Sequence, residues 1–252
     1  MSKAVWTMDL TIVIPARDEE ENILHTLSLI TDRVKTPHRI IVVNDHSKDK
    51  TAQIVREFAR SHPHVELVDN ASPPGFASAV KTGFRAAPQG AIVTVMADHC
   101  DEPETIDAMF LKIQEGFDVV CASRYMPGGR KIGGRFLQSF FSRLVGMSLR
   151  ILARIPTHDV SNAFKMYTKE VLDSVKIQEK GFAMSMEITV KAYFQGFRIT
   201  EVPTTWKDRT AGKSHFRIVR VGSHYLRLYL LALALMVKSP FVKRHKRMRK
   251  AI

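Results

Sequence analysis

Val93–Thr105 reads V-T-V-M-A-D-H-C-D-E-P-E-T. It completes an apolar, β-type run, Ala91–Ala97, and then passes into four acids: Asp98, Asp101, Glu102 and Glu104. A buried strand that delivers carboxylates at its C-terminal end places them at the crevice where open α/β sheets bind ligands. Closely spaced carboxylates suit a hard divalent cation, which in turn suits a diphosphate. Acids also favour ordinary helix starts, so this stretch alone leaves both interpretations open.

Strand and helix patterns alternate through the first half of the chain. Short runs rich in Ile and Val predict strands, and apolar residues at helical spacing predict helices between them. This alternation predicts an α/β fold with a mainly parallel central sheet and helices on both faces. The predicted strands are Leu10–Pro15, Arg39–Val43, Val65–Val68, Ala91–Ala97, Asp118–Ala122 and Ile199–Pro203; the predicted helices are Glu20–Val34, Lys50–Arg60, Phe76–Ala86, Pro103–Gly116 and Met184–Phe194.

The second half adds amphipathic helices and a basic tail. Phe136–Arg154 and Lys213–Val237 place basic residues on recurring helical faces, and Leu228–Val237 is almost wholly apolar. That run is too short to cross a hydrocarbon core of about 30 Å, but an apolar patch beside a basic tail favours docking on a membrane surface. Packing on the domain core or on a partner subunit is the alternative. We expect one domain over residues 1–212 and a membrane-associating segment over residues 213–252.

Positive charge is concentrated in two segments that contain no acid. The chain has 38 Lys plus Arg and 25 Asp plus Glu, a net charge of +13. Residues 119–158 hold seven of these bases, and residues 209–252 hold twelve. A basic surface confined to part of a fold predicts an anionic partner there, such as phospholipid, a phosphorylated acceptor or nucleic acid. No nucleic-acid-binding motif is recognisable, so we expect no nucleic-acid partner.

Several classes of protein are disfavoured by what the sequence lacks. Cys100 and Cys121 are the only cysteines and lack metal-ligand spacing, which favours a reducing cytosol over a disulfide scaffold. The first nine residues have no apolar core typical of a signal peptide, and no run of about 18 apolar residues predicts a membrane span. Neither a P-loop nor a G-x-G-x-x-G fingerprint follows the first strand.

Polar clusters follow three of the predicted parallel strands. P-A-R-D-E ends at Glu19, N-D-H-S-K-D-K-T runs from Asn44 to Thr51, and the third cluster begins at Asp98. The carboxyl ends of parallel strands meet at one edge of a sheet, so these clusters are expected to share one crevice. Arg124 directly follows another buried strand, and we expect a functional role for it there.

Five motifs in this order resemble family 2 glycosyltransferases, and more narrowly their polyprenol- or dolichol-phosphate mannosyltransferase branch. They are P-A-R-D-E, V-N-D-H-S-K-D-K-T, M-A-D-H-C-D-E-P-E, A-S-R-Y-M-P-G-G and D-R-T-A-G-K-S, and they span about Leu10 to Ser214. The resemblance implies a GT-A (Rossmann-like) fold, a nucleotide-sugar donor, Mg²⁺ or Mn²⁺, and inversion at the anomeric carbon.

The resemblance also implies roles for single residues. Asp98, Arg124 and Arg209 would form the catalytic set, with Asp98 on the metal and diphosphate. Asp101 would be a second metal ligand, although it also fits a helix start. The nucleotide-sugar would be lined by Pro15, Ala16, Arg17, Glu19, Asp45, Ala97 and Asp98, with Asp45 on the base or ribose; the acceptor phosphate would be held by Arg124, Arg135, Ser139, Arg209 and Ser214.

The chain departs from the family pattern at several positions. Met96 replaces the first acid of the usual D-A-D, and Cys100 stands where Gln is common. S-G-F-R is changed within Ser161–Lys165. A Trp and an Arg that are frequent before the basic helix are absent, and that region holds Gly134, Arg135 and Gln138. These departures leave the sugar and the metal shell open.

The expected activity is transfer of a mannose- or glucose-type sugar from GDP- or UDP-sugar to polyprenyl phosphate. A phosphate acceptor needs no general base, because its second pKa is about 6 and it is mostly dianionic at neutral pH. A sugar hydroxyl, the alternative acceptor, needs one, and Asp159 is the candidate. A non-enzymatic basic module that binds membrane or nucleic acid is the less favoured alternative. We expect a peripheral protein on the cytoplasmic face of the cell membrane.

Overall fold

The computed structural model describes residues 9–134, 136–208 and 218–238. Strands and helices alternate through the first of these ranges. The strands are β1 (Leu10–Ala16), β2 (His38–Asn44), β3 (Val65–Asp69), β4 (Ala91–Thr94), β5 (Val119–Ser123), β6 (Arg130–Ile132), β7 (Lys165–Thr168), β8 (Ile199–Pro203) and β9 (Thr205–Lys207). The helices are α1 (Ile23–Arg33), α2 (Thr51–Ser61), α3 (Phe76–Ala86), α4 (Thr105–Gln114), α5 (Phe136–Leu152), α6 (Lys169–Ser174), α7 (Met184–Gln195) and α8 (Ile218–Lys238).

Seven strands form the central sheet in the order β3-β2-β1-β4-β7-β5-β8. Its strands pair in parallel except at β7, which runs antiparallel to both β4 and β5. One buried cluster packs α1 and α4 against one face, and a second packs α3, α6 and α7 against the other. This confirms the predicted α/β fold, with a mainly parallel sheet covered on both faces.

The sequence prediction was wrong in detail at β4 and missed β7. β4 ends at Thr94 rather than Ala97, because the backbone of Val95 makes the last ladder bond to β1 and the chain then turns away. β7 is four residues long and starts with a charged residue, Lys165, so it has no apolar run to reveal it. Its pairing partners lie far away in sequence, and the same is true of the short parallel pair β6–β9.

A third buried cluster joins α5, α7 and α8. Within it Leu149 and Leu228 are almost fully buried, so α8 packs against the rest of the described chain. The division at residues 212 and 213 stays a prediction. Across the described ranges, none of the helices combines the length and apolar character needed to cross a membrane.

Gly146 marks the closest approach of α5 to the loop before β7. A Cβ at this position would lie 2.2 Å from the carbonyl oxygen of His158. Gly146→Ala is therefore expected to destabilise the protein by about 1–3 kcal/mol, because the overpacking involves backbone that cannot rotate away. The measurement is urea or thermal unfolding of the variant and the parent.

Gly222 in α8 provides the matched control, since a Cβ there would have no neighbour within 4 Å. Alanine is favoured over glycine in a helix by about 1 kcal/mol, so Gly222→Ala should be neutral or stabilising. Equal stability changes in the two variants would show that the α5 contact is not tight.

Candidate active site

Hydrogen bonds join the loops that follow β1, β2 and β4. The backbone N–H of Glu19 donates to Oγ1 of Thr51 at 2.8 Å, which links the first loop to the second. The hydroxyl of Thr26, on α1, donates to the carbonyl oxygen of Ala97 at 2.7 Å, which links α1 to the third loop. The three polar motifs found in the sequence therefore meet at the carboxyl edge of the sheet.

Three residues in these loops adopt left-handed backbone conformations that non-glycine residues rarely take. They are Asp18 (φ 53°), His46 (φ 59°) and His99 (φ 44°), one in each loop. Such conformations cost free energy and cluster where a site requires a particular loop shape. Their distribution therefore marks the same edge of the sheet as the candidate site.

Five of the seven residues predicted to line the nucleotide-sugar lie at or just beyond the ends of β1 and β2, and the other two, Ala97 and Asp98, follow β4. Pro15 and Ala16 are buried in β1, Arg17 is exposed just beyond it, and Glu19 is half-buried. Asp45 is buried, and both of its carboxylate oxygens are engaged. Oδ2 accepts from the backbone N–H of Gly75 at 2.8 Å, and Oδ1 accepts from Nδ2 of Asn70 at 2.7 Å. Asp45 thus anchors the start of α3, a role that its strand-end position did not reveal.

Asp98 and Asp101 form a buried carboxylate pair after β4. Burial and then the negative charge of Asp98 raise the pKa of Asp101 to about 7, although the backbone N–H of Met96 acts to lower it. Oδ2 of Asp101 has no hydrogen-bond partner among the described residues. The backbone of Asp101 pairs with Trp206 in an isolated bridge, while α4 begins at Thr105. Asp101 therefore lies at the edge of the crevice and not in the first turn of the helix.

This pair fits a hard divalent cation. A buried carboxylate oxygen without a partner, beside a second carboxylate, is stabilised by a bound cation. No group of three or more potential ligands is present in the part of the chain that the structure describes. Mg²⁺ is commonly bound by only one or two carboxylates, with substrate phosphates and water completing the shell. The donor set is thus of the kind that holds a metal together with a diphosphate.

Arg124 and Asp159 form a two-pronged ion pair at the end of β5. Nε of Arg124 donates to Oδ2 at 2.6 Å, and Nη2 donates to Oδ1 at 2.9 Å. The Asp159 side chain is fully buried and that of Arg124 is 12% exposed. Burial acts to raise the pKa of Asp159, but the charge and hydrogen bonds of Arg124 outweigh it and hold that pKa below its usual value. Asp159 is therefore a poor general base.

Lys165 supports the loop that carries Asp159. Its side chain is fully buried in β7, and Nζ donates to the carbonyl oxygens of Val160, at 2.9 Å, and Asn162. Burial lowers the pKa of Lys165, whereas Asp159 acts to raise it. The sequence analysis notes this position only as a departure from the S-G-F-R motif and assigns it no role. The lysine at the end of S-N-A-F-K was the feature that could have indicated one.

The structure describes only part of the predicted acceptor-phosphate set. Ser139 lies near the start of α5, and its Oγ accepts from Nζ of Lys131 at 2.5 Å. Arg124 lies close enough to influence the ionisation of Lys131. The other three predicted residues, Arg135, Arg209 and Ser214, lie outside the described residues.

Comparisons with known proteins agree with the fold and the motifs. A family model described as Glycosyl transferase family 2 matches residues 11–176. The dolichol-phosphate mannosyltransferase of Pyrococcus furiosus is 30% identical over 227 residues, which cover 89% of this chain and 64% of that protein. The polyprenol monophosphomannose synthase of Mycolicibacterium smegmatis is 29% identical over 218 residues, or 82% of this chain and 81% of that protein.

Solved structures give the same fold at lower sequence identity. Glucosyl-3-phosphoglycerate synthase from Mycobacterium tuberculosis, in complex with Mn²⁺, uridine diphosphate and phosphoglyceric acid, matches with a TM-score of 0.66 and 16% identity. The match covers 91% of this chain and 79% of that one, and it confirms a GT-A-like fold. Because the family model matches more than half of the chain, this protein belongs to glycosyl transferase family 2 and is a glycosyltransferase.

Proposed function

We propose that this glycosyltransferase moves a mannose- or glucose-type sugar from a GDP- or UDP-sugar to a polyprenyl phosphate. The observation that carries the proposal is the Arg124–Asp159 pair at the end of β5. The two curated relatives support it, because their names describe dolichol-phosphate and polyprenol-phosphate mannose transfer. The chain spans 64% of the length of the first relative, and the sugar and base remain part of the proposal.

The guanidinium of Arg124 suits an acceptor phosphate because only one of its edges is occupied by Asp159. The pair uses Nε and Nη2. The remaining edge, formed by Nη1 and Nη2, has the fork geometry that binds two phosphate oxygens. Asp159 positions this edge and is not a base, which favours a phosphate dianion over a sugar hydroxyl as the nucleophile.

Asp98 and Asp101 would hold Mg²⁺ or Mn²⁺. When bound, such an ion neutralises charge on the diphosphate that leaves with the nucleotide. The residues around β1 and β2 would bind the nucleotide and orient the donor; they are Pro15, Ala16, Arg17, Glu19 and Asp45. Attack by the phosphate from the opposite side of the anomeric carbon then gives inversion.

The acceptor is proposed to reach the site from a membrane surface on which α5 docks. Leu228 and Ala232 of the predicted docking run are buried against α5 and α7, so much of that run packs on the core. A larger apolar face lies on α5, a helix without acids that also exposes Arg143 and Arg150. Exposed apolar area beside basic residues is the pattern of interfacial helices. The exposed apolar side chains on α5 are Phe136, Leu137, Phe140, Phe141, Leu144, Met147, Ile151 and Leu152, and on α8 they are Leu226, Leu230 and Val237.

A donor panel with a short soluble acceptor tests the proposed reaction. GDP-mannose, GDP-glucose, UDP-glucose and UDP-galactose are incubated with the protein, Mg²⁺ and farnesyl phosphate. One donor is expected to release its nucleotide only when farnesyl phosphate is present, and EDTA should stop the release because the leaving diphosphate loses its cation. Nucleotide release that depends instead on farnesol or a saccharide would favour a hydroxyl acceptor and overturn the proposal.

Arg124→Lys is expected to weaken binding of the acceptor but not of the donor, because lysine keeps the positive charge but cannot make the two-pronged contact of a guanidinium. Loss of one charge-assisted hydrogen bond corresponds to a rise of about tenfold or more in the acceptor KM. The donor KM should stay within about twofold of the value for the parent protein. Steady-state kinetics with each substrate varied in turn gives the two constants.

Arg33→Lys is the control, since Arg33 makes an exposed ion pair with Glu104 and belongs to none of the predicted donor, metal or acceptor sets. Surface pairs contribute little, so this variant should behave as the parent. A collapse of donor affinity in Arg124→Lys, with the acceptor constant unchanged, would place Arg124 on the donor.

Membrane docking through α5 is tested by flotation with vesicles of phosphatidylcholine and phosphatidylglycerol. The double variant Phe140→Glu, Leu144→Glu puts two charges into the apolar face, and we expect it to lose most of its binding. The parent should bind more weakly as salt rises, because basic residues contribute to attachment. Leu111→Glu, at a similarly exposed position on α4, is the control and should float like the parent. Equal flotation of all three proteins would contradict docking through α5.

A further inference from the structure

Lys131 is placed beside Arg124 by the turn between β5 and β6. The backbone of Gly129 passes over the end of β5 so closely that a Cβ there would lie 2.4 Å from the carbonyl oxygen of Ser123. The same Cβ would lie 2.9 Å from the carbonyl carbon of Arg124. β6 begins with the next residue, so Lys131 follows within two positions of this contact. A short, tightly fixed turn therefore brings a second cation to the end of β5.

The ammonium of Lys131 is held by uncharged partners. Nζ donates to Oγ of Ser139 at 2.5 Å and lies 5.1 Å from the centre of the Trp206 ring. Among the described residues, no carboxylate oxygen lies within 4 Å of Nζ of Lys131, the distance at which it would form an ion pair. Burial and then the charge of Arg124 lower the pKa of Lys131, although Asp208 and Asp159 act to raise it. The nearby positive charge of Arg124 thus disfavours the charged form of Lys131.

Two neighbouring cations of this kind form a site for an anion. Asp159 balances Arg124, but it leaves the ammonium of Lys131 with Ser139 and an aromatic ring as its direct partners. Half-burial strengthens the repulsion between the two positive charges. A bound dianion would attract both cations and offset this repulsion. A lysine ammonium binds phosphate as a compact point charge, beside the two-pronged contact that an arginine makes.

We propose that Lys131 binds the phosphate of the acceptor together with the edge of Arg124 formed by Nη1 and Nη2. This inference rests on the proposed function and assigns a specific residue to it. Lys131 lies on β6, and its β9 neighbour Trp206 pairs through the backbone with Asp101 of the cation site. Ser139, on its other side, belongs to α5 with its exposed apolar face. A position between the donor diphosphate and the proposed lipid surface is where the attacking phosphate must lie.

Lys131→Gln tests the proposal, with Arg130→Gln as the matched control. Successive residues of a strand point to opposite faces, and Arg130 is an exposed base directly before Lys131. Lys131→Gln should raise the KM for farnesyl phosphate at least about tenfold, while the donor KM stays within about twofold. Arg130→Gln should match the parent in both constants, and Lys131→Arg should recover most of the acceptor binding because it restores the charge.

Calorimetric titration with farnesyl phosphate separates failure of this inference from failure of the proposed function. Turnover by the parent, with Lys131→Gln unchanged in acceptor KM and affinity, would overturn the role of Lys131 and leave the function intact. Absence of turnover that depends on farnesyl phosphate would overturn the proposed function. In that case, weaker binding of farnesyl phosphate by Lys131→Gln, but not by Arg130→Gln, would still support the anion site. Equal binding by all variants, or a loss confined to the donor, would overturn the site. Matching melting temperatures exclude a folding defect.

Discussion

A buried carboxylate, Asp159, fixes the geometry on which this site depends. An unpaired charge at full burial is costly, and it is tolerated here because Arg124 engages both oxygens and the Lys165 ammonium lies nearby. Asp159 also accepts from the backbone N–H of Arg124, so the end of β5 and the loop before β7 are held by one group. The antiparallel strand β7 lies between β4 and β5. Because of its direction, the loop that precedes it and carries Asp159 lies at the carboxyl edge of the sheet, next to the end of β5.

The proposed lipid surface and phosphate site share this support. The backbone of α5 meets His158 at Gly146, and the hydroxyl groups of Ser142 and Ser161 lie 2.5 Å apart across the same contact. On the other side, Glu201 of β8 accepts from the backbone and the ring of His158. The loop is thus fixed from both sides next to Asp159. This contact, together with the apolar cluster that joins α5 to α7 and α8, fixes the proposed docking helix relative to Arg124.

The parts of the fold that the sequence revealed are those governed by local pattern. Strands such as β1 and β2 are short runs rich in buried Ile and Val, and this pattern alone predicts a buried strand. β7 and the β6–β9 pair are short and gain stability from distant partners, which periodicity does not report. The same limit applies to the site. The strand-end positions of Asp98 and Arg124 predicted where they lie, but the locking of Asp159 and the approach of Lys131 follow only from tertiary contacts.

The departure of this chain from the family pattern at Met96 has a physical counterpart in Asp101. The resemblance places an acid at the position of Met96, two residues before Asp98, and a methionine there supplies no carboxylate. Asp101 instead supplies a buried carboxyl group whose pKa is raised by burial and by the charge of Asp98, and the backbone N–H of Met96 donates a hydrogen bond to it. A second carboxylate is therefore available beside Asp98 even though its position in the sequence has moved. Because a cation responds to the position of oxygen atoms and not to their order in the chain, the pair that we propose as its ligands is Asp98 and Asp101.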